Sequence, residues 1–405
     1  MTVLPADRTV SSARLADLLE GWRGEGPAYS ALAGGLRAAV LAGALPTRTR
    51  LPSERDLAAA LGLSRTTVSA TYDLLRTEGF LISRQGSGTI TALPAGASRS
   101  PRFTDLPDAH LLDLTKAAPS APPELANACA LAVDDLRHHL GGHGLEPLGL
   151  PVLRAAVAQW YIERGIPTDP EQILITTGAQ QAINLLINLA ARRGDRVVVE
   201  HPTYPNAIDV VTAAGARPVP VPVGEHGVDV DLLLATVRAS DPRVVYLVPD
   251  HHNPTGSVLA EQHRDRLRHG VTASGALLVV DEVFADLTLG AQLPPSLLGD
   301  GTGSQVAGIG SASKSFWSGL RVGWVRASRE VIARLTTQRA RADISSSVLD
   351  QLVVARLMQV RTGLLARRRE ELRDRRDRLV AQLGELLPDW TTPVPAGGLS
   401  LWIDL

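Results

Sequence analysis

The chain has 405 residues, of which 44% are hydrophobic and 20% are charged, and its formal net charge is −1. A chain of this length buries more than one core, so we expect two or three domains. The near-zero charge excludes a protein that binds polyanions over its whole surface, and the single cysteine, Cys129, excludes an internal disulfide and any cysteine-based metal cluster. The sequence shows no signal peptide and no membrane-spanning run, which predicts a soluble, cytoplasmic protein without membrane contact.

Residues 31–90 predict three helices followed by a hairpin. Ser53 is suited to cap one helix, Gly62 ends it, and Ser64 caps the next helix, whose apolar face carries Val68, Tyr72 and Leu75. A short helix, a glycine turn and a second capped helix indicate a helix-turn-helix. In that geometry the start of the second helix faces base edges, which here means Ser64, Arg65, Thr66 and Thr67.

The segment after the second helix, residues 80–90, predicts two strands joined at residues 86–88, a wing whose tip can meet a groove or a phosphate. Residues 31–93 contain seven arginines and four acidic residues, a local excess of +3 that favours DNA. The alternative is a helical module used only for protein contacts.

The run LPSERDLA, followed by SRTTV and EGF, resembles the GntR class of winged helix-turn-helix repressors. The resemblance covers residues 30–93 and implies a DNA-binding domain for double-stranded operator DNA. It implies DNA contacts by the following residues: Arg50, Arg55, Arg65, Thr66 and Gly86.

Residues 94–110 have the Pro, Gly and Ser composition of a linker, and residues 111–405 form the second predicted domain. There, helical patterns alternate with short apolar runs at residues 173–176, 196–200, 217–223, 244–248 and 276–281. This alternation predicts an α/β fold with a mostly parallel sheet covered on both faces. The charged stretch 361–387 predicts a long solvated helix.

Lys314 is one of only two lysines in the chain, the other being Lys116, and it has serines before it and Arg321 after it. A primary amine condenses with an aldehyde, which an arginine cannot do. The hydroxyls of Ser311 and Ser313 and the guanidinium of Arg321 are suited to a phosphate. An aldehyde combined with a phosphate describes pyridoxal 5'-phosphate (PLP).

Other segments supply what a PLP site needs. The run Gly178, Ala179, Gln180 follows a strand and opens a helix, where free N–H groups attract a phosphate. Tyr204 and Asn253 follow other strands and are suited to stack on the ring and to donate to its phenolic oxygen. Asp281 ends an apolar strand, where its carboxylate would pair with the pyridine nitrogen. An aromatic residue after a strand is, in general, more often part of a core.

In chain order, GAQ, PTYP, NPTG, VDE and SASK with a trailing arginine resemble the fold-type I aminotransferases over about residues 112–405. Together with the GntR-like head, the chain resembles the MocR group of transcription regulators. The resemblance implies a homodimer and an internal aldimine on Lys314. It also implies a cofactor held by Gly178, Ala179, Tyr204, Asn253, Asp281, Ser311, Ser313 and Arg321.

Three features depart from that pattern. Phe284 stands where these enzymes commonly place a tyrosine on the phenolic oxygen, and residues 142–149 lack a tyrosine often found there. The sequence stops at residues 397–405, which we expect to be the first strand of a small domain, before the arginine that grips an amino acid's carboxylate. We therefore expect a truncated small domain, since an apolar strand at the end leaves a sheet unpaired.

The sequence thus predicts a PLP-dependent DNA-binding regulator that senses an amine, an amino acid or PLP itself through Lys314. The alternative is an active PLP-dependent aminotransferase that carries a DNA-binding head. A PLP reservoir without DNA binding has less support. No metal site is predicted, because His251 and His252 are adjacent and cannot form a helical metal pair.

Overall fold

The computed structural model describes residues 8–19, 21–23, 26–41, 44–84, 88–92, 114, 116–224, 227–290, 292–301 and 303–403. The chain divides into two compact units, residues 1–113 and 114–405. The predicted linker, residues 94–110, and Gly86 at the predicted wing tip lie outside the described residues. None of the helices in the described ranges has the length and apolar composition that crossing a bilayer requires.

The N-terminal unit combines four described helices with four short strands. The helices are α1 (Ser12–Leu18), α2 (Ala28–Leu41), α3 (Glu54–Leu61) and α4 (Arg65–Thr77). The strands are β1 (Arg8–Thr9), β2 (Thr49–Arg50), β3 (Leu81–Arg84) and β4 (Gly88–Thr91). They form one sheet in the order β1-β2-β4-β3, in which β3 and β4 are the antiparallel hairpin predicted as a wing.

The helix caps predicted in this unit are confirmed. The Ser53 hydroxyl accepts the N–H of Asp56 at the start of α3, and Gly62 ends α3 in the left-handed region at φ 67°. The Ser64 hydroxyl accepts the N–H of Thr67 at the start of α4. The predicted apolar face of α4 is buried in the core of the unit, with Val68, Tyr72 and Leu75 at most 1% exposed.

The C-terminal unit is built on an eight-stranded sheet. Its strands are β5 (Ile173–Thr176), β6 (Arg196–His201), β7 (Arg217–Gly224), β8 (Gly227–Val228), β9 (Val244–Leu247), β10 (Leu277–Asp281), β11 (Val306–Ser311) and β12 (Gly323–Arg326). The order is β5-β12-β11-β10-β9-β6-β7-β8. Strand β12 is antiparallel to both of its neighbours, so β5, β11, β10, β9, β6 and β7 all run in the same direction.

Helices cover both faces of this sheet, as predicted. They are α5 (Glu124–Leu136), α6 (Pro151–Glu163), α7 (Ala179–Ala190), α8 (Pro205–Ala213), α9 (Val230–Ser240), α10 (Glu261–Ala273), α11 (Ala312–Ser315), α12 (Arg329–Arg339), α13 (Val348–Gln359) and α14 (Arg361–Leu386). Successive strand residues point to opposite faces. Ile175 and Val280 pack in the core with α5, α6 and α13, whereas Leu174 and Val279 pack with α7, α8 and α12.

All five strands predicted for this unit are present, and the charged stretch forms the 26-residue helix α14. Strands β11 and β12 were not predicted: glycines interrupt the apolar pattern of β11, and β12 is only four residues long. The prediction of a strand at residues 397–405 is wrong for the part that the structure describes, residues 397–403. There Gly397 forms one isolated bridge to Thr288 and no ladder follows, and a strand needs a continuous partner.

Candidate functional site

The predicted cofactor residues meet at one edge of the large sheet. Strands β5, β6, β9, β10 and β11 are parallel, so their carboxyl ends lie at the same edge, where open α/β sheets bind ligands. Asp281 is the last residue of β10. The other predicted residues follow the ends of β5, β6, β9 and β11 by two to six positions, and they are, in that order, Gly178, Tyr204, Asn253 and Lys314. Residues spread over more than 130 positions of sequence therefore form one site.

Lys314 lies in the short helix α11, directly after β11. Its side chain is half-buried, and its Nζ donates a hydrogen bond to the carbonyl oxygen of Ala117 at 2.6 Å. Burial lowers the pKa of the Lys314 ammonium; the nearby Asp281 carboxylate opposes this shift, and the Arg321 guanidinium adds to it. A larger share of the amine is therefore neutral near pH 7 than for an exposed lysine, and the neutral form is the nucleophile.

Asp281 ends β10 and is 4% exposed. Its Oδ2 accepts a hydrogen bond from the Tyr246 hydroxyl at 2.7 Å, and its Oδ1 accepts the N–H of Val283 at 3.1 Å. Burial raises the pKa of the Asp281 carboxyl to about 6, although both hydrogen bonds lower it. Tyr246 was not predicted from the sequence. Its signal there is a polar aromatic residue within the apolar strand β9, which lies next to β10 in the sheet.

A small cup is formed by the start of α7 and by Arg321. Gly178 precedes α7 with φ 79°, and a Cβ at this position would lie 2.8 Å from Nη2 of Arg321. That same Nη2 atom lies 3.4 Å from the carbonyl oxygen of Thr177. Ala179 and Gln180 are the first residues of α7, where backbone N–H groups have no partner within the helix. The absence of a side chain at position 178 therefore lets the Arg321 guanidinium lie directly against the backbone at the start of α7.

Two serines complete this side of the site. The Ser311 hydroxyl accepts the N–H of Ser313 at 3.1 Å and lies 3.4 Å from the carbonyl oxygen of Val322. Ser313 is 7% exposed, and its Oγ has no hydrogen-bond partner within the described residues. The side-chain oxygen of Gln180 is likewise buried without a partner there. Buried polar atoms normally have partners, so these two indicate a place for a polar ligand.

The remaining predicted residues follow strands β6 and β9. Tyr204 directly precedes α8, and its hydroxyl accepts a hydrogen bond from Asn206 at 2.9 Å. Burial raises the pKa of Tyr204, and both Asp281 and Arg321 are close enough to influence it. Asn253 is half-buried in the loop that follows β9. Phe284 is 3% exposed, with its ring centroid 5.9 Å from Nζ of Lys314, so the side chain that lacks a hydroxyl does lie at the site.

In the N-terminal unit, the predicted DNA-contacting residues lie around the start of α4. Arg65 is exposed over 74% of its side chain, with its Nε 3.9 Å from Glu54, and Arg55 is exposed over 86%. The Ser64 hydroxyl contacts the hydroxyls of Thr66 and Thr67 at 2.8 and 2.7 Å, in addition to capping the helix. Arg50 is the remaining predicted DNA contact within the described residues; it ends β2 and is exposed.

Comparison with known proteins agrees with this division of the chain. The pattern of the family "Aminotransferase class I and II" matches residues 128–405, and that of "Bacterial regulatory proteins, gntR family" matches residues 28–90. The HTH-type transcriptional regulator YisV of Bacillus subtilis is 28% identical over 90% of this chain and 81% of its own length. The probable rhizopine catabolism regulatory protein MocR of Rhizobium meliloti is 31% identical over 72% of this chain. The match spans 63% of MocR, less than two thirds of its length.

Among solved structures, LysN of Thermus thermophilus is similar to the C-terminal unit. LysN is an α-aminoadipate aminotransferase, complexed in that structure with N-(5'-phosphopyridoxyl)-L-leucine. It matches 71% of this chain and 76% of its own with a TM-score of 0.65 and 31% identity. The chain therefore belongs to the MocR-type regulators, in which a GntR-family helix-turn-helix domain precedes a domain of the aminotransferase class I and II family.

Proposed function

We propose that this protein is a transcription regulator that binds operator DNA through its N-terminal unit and PLP through its C-terminal unit. We further propose that an amine, an amino acid or PLP itself is the signal that it senses. One observation carries the proposal. A half-buried lysine, a buried carboxylate and a cup closed by an arginine share the carboxyl edge of one sheet, and this sheet follows a helix-turn-helix in the same chain.

The residues present fit PLP in three ways. The buried Ser313 hydroxyl has no described partner, and the guanidinium of Arg321 lies against the start of α7 at Gly178, which suits a phosphate. The buried Asp281 carboxylate has a raised pKa, which a protonated pyridine nitrogen would bring down by pairing with it. The Lys314 amine has a lowered pKa, which suits attachment to an aldehyde. LysN, with its phosphopyridoxyl ligand, has the same fold.

When bound, PLP supplies an aldehyde that reacts with amines and a ring that withdraws electrons. We assign Lys314 to attachment, Asp281 to the pyridine nitrogen, Asn253 to the phenolic oxygen and Tyr204 to stacking on the ring. The phosphate is assigned to the N–H groups and side chains of Gly178, Ala179, Gln180, Ser311, Ser313 and Arg321. In this arrangement Asp281 keeps the ring nitrogen protonated, and Lys314 holds or moves a proton at its Nζ.

For the DNA-binding unit, residues 30–93, we assign base contacts to Arg65 and to the hydroxyls that follow it on α4. Exposed arginines suit bidentate contacts to guanine, and hydroxyls suit phosphates or bases. The full proposed set is Arg50, Arg55, Ser64, Arg65, Thr66, Thr67 and Gly86. We also propose that two chains form a homodimer, which would place two recognition helices on one operator, and that the protein works in the cytoplasm, where such DNA is reached.

A second candidate function is catalysis of amino-group transfer between an amino acid and a keto acid. The lowered pKa of Lys314 favours it, because a base that takes a proton from an amino acid's α-carbon must be neutral. Phe284 counts against it, since a hydroxyl common in such enzymes is missing beside Lys314. The two functions differ in whether the amino group of the added molecule is transferred to the cofactor.

The test is the visible absorption spectrum of the protein with PLP, for wild type, Lys314→Ala and the matched control Lys116→Ala. We expect a band that requires Lys314, persists in Lys116→Ala and shifts once when an amine or amino acid is added. A band that instead decays to the pyridoxamine spectrum, and recovers with a keto acid, would establish the second function. A spectrum of free PLP in the wild type would overturn the cofactor assignment.

A further inference from the structure

Arg339, at the end of α12, is fully buried and acts as a hub for hydrogen bonds. Its Nε donates to Oδ1 of Asp343 at 2.9 Å, and its Nη2 donates to the Ser346 hydroxyl at 2.7 Å. Its Nη1 donates to the carbonyl oxygens of Pro147 and Ile175. A buried guanidinium is costly unless it is paired, so this hub fixes residues 343–346 against the end of β5.

Asp343 extends the hub to the turn that precedes α7. Its Oδ2 accepts a hydrogen bond from the Thr177 hydroxyl at 3.1 Å and another from Nε2 of Gln181 at 2.5 Å. The Ser346 hydroxyl also lies 3.1 Å from that of Thr177, and Oε1 of Gln181 accepts the N–H of Thr177 at 2.7 Å. One carboxylate thus ties together the two residues that flank the cup at positions 178–180.

The backbone next to Asp343 is held in an unfavourable conformation. Ile344 has φ 67°, in the left-handed region that β-branched residues rarely adopt. Such a conformation persists only where the surrounding contacts impose it, and here the contacts come from Arg339, Asp343 and Ser346. The hub therefore holds residues 343–346 in a shape they would not adopt alone.

The pairing of charges between Arg339 and Asp343 also suits a phosphate at this turn. Asp343 by itself would repel a phosphate at the start of α7, but the guanidinium of Arg339 pairs with it. The carboxylate can then serve as a hydrogen-bond acceptor for Thr177 and Gln181 at little electrostatic cost to an anion nearby. Arg321 contacts the same turn through the Thr177 carbonyl oxygen.

We infer that Arg339 and Asp343 are positioning residues that set the turn at residues 177–181 so that the N–H groups of Ala179 and Gln180 face the cofactor phosphate. This inference rests on the proposed function, because it concerns the phosphate side of the PLP site. Neither residue touches the cofactor; both act through Thr177 and Gln181. The predicted consequence is specific to the phosphate and not to the ring or the aldehyde.

The experiment compares the binding of PLP with that of pyridoxal, which lacks the phosphate, to the full chain. For Asp343→Ala we expect PLP affinity to fall by about tenfold or more, as for the loss of hydrogen bonds at a charged group. Pyridoxal affinity should change by less than about twofold. The matched control is Arg329→Ala, which breaks an exposed ion pair with Asp169 at the other end of α12 and should change neither affinity.

A second variant, Asp343→Asn, keeps the side-chain volume but places a donor where Gln181 and Arg339 also donate, and it should show the same phosphate-specific loss. Equal weakening of PLP and pyridoxal binding would overturn the inference, because it would indicate general structural damage. Unchanged PLP affinity in both variants would overturn it as well. A wild type that binds neither compound would overturn the proposed function first, and the inference with it.

Discussion

The Nζ atom of Lys314 lies 2.6 Å from the carbonyl oxygen of Ala117, 197 positions earlier in the chain. The amine that we assign to cofactor attachment is therefore bonded to the segment with which the described part of the C-terminal unit begins. A nitrogen that forms a bond to an aldehyde carbon loses protons and changes position, so attachment competes with this hydrogen bond.

We predict that removing the Lys314 amine loosens the segment around Ala117. In Lys314→Ala, amide hydrogen exchange over residues 116–121 should be faster than in the wild type, because the segment loses its bond to α11. PLP added to the wild type should have the same effect. Unchanged exchange in Lys314→Ala would show that other contacts hold this segment.

Asp281 predicts a specific pH dependence of stability for the protein without cofactor. Its pKa in the folded chain is about 6, above the ordinary value of 3.8, so the folded state binds this proton more tightly than the unfolded state. The associated stability is present below pH 4 and is lost as the pH rises to about 6. Asp281→Asn should therefore be more stable than wild type at pH 7, by about 3 kcal/mol at most.

The measurement for Asp281 is denaturant unfolding of both proteins at several pH values between 3 and 8. The difference between variant and wild type should grow from pH 4 to 6 and then level off. The exposed residue Asp389 provides the control, since Asp389→Asn should show no such difference. Asp281→Asn should also bind PLP more weakly. A variant that is less stable than wild type at pH 7 would contradict this account of the buried carboxylate.

Ser64 and Arg65 are adjacent, but alanine substitutions at the two positions should have different effects. Ser64→Ala removes a helix cap and should lower the stability of the N-terminal unit by about 1 kcal/mol. Arg65 is 74% exposed, so Arg65→Ala should leave stability within about 0.5 kcal/mol. Its DNA affinity should fall by about ten- to a hundredfold on a site selected by the wild type.

The control for this pair is Arg14→Ala, an exposed arginine in α1 outside the helix-turn-helix. Thermal unfolding and titration of labelled DNA at fixed salt separate the two effects, since salt alone changes affinity strongly. An intact DNA footprint with Arg65→Ala would count against the recognition geometry proposed for α4.

Gly178 should be required for its lack of a side chain as well as for its backbone conformation. Gly178 has φ 79° and ψ 168°, a backbone conformation open almost only to glycine, so an alanine there strains the backbone by about 1–3 kcal/mol. Gly165 also has a positive φ, of 80°. A Cβ at 178 meets Arg321 at 2.8 Å, whereas at 165 nothing lies within 4 Å. Gly178→Ala should therefore weaken PLP binding, measured by absorption, and Gly165→Ala should not; equal PLP affinities of the two variants would contradict the role given to Gly178.

Phe284→Tyr should change the titration of bound PLP. The Phe284 ring lies 5.9 Å from Lys314, and a hydroxyl added there is suited to donate to the cofactor's phenolic oxygen. A hydrogen bond to the anionic form of that oxygen stabilises it, so the pH midpoint of the visible band should fall. A spectroscopic pH titration measures this directly; an unchanged midpoint would mean that the new hydroxyl points away.

The sequence by itself determined the elements and the order of the chemical groups. The caps at Ser53 and Ser64, the break at Gly62 and the alternating apolar runs are local signals, because caps and periodicity act over a few neighbouring residues. Motif residues that follow strands could also be assigned to one sheet edge, since parallel strands end together. Lys314 was identified because its neighbours supply the matching phosphate groups.

Only the tertiary structure decided which groups touch. The Tyr246–Asp281 bond joins residues 35 positions apart, and Thr177–Asp343 joins residues 166 positions apart. Such pairs depend on strand order and register, which the chain sets through long-range packing and which no local pattern encodes. Strands β11 and β12 were not predicted for the same reason: their neighbours in the sheet hold them in place, more than their own residues do.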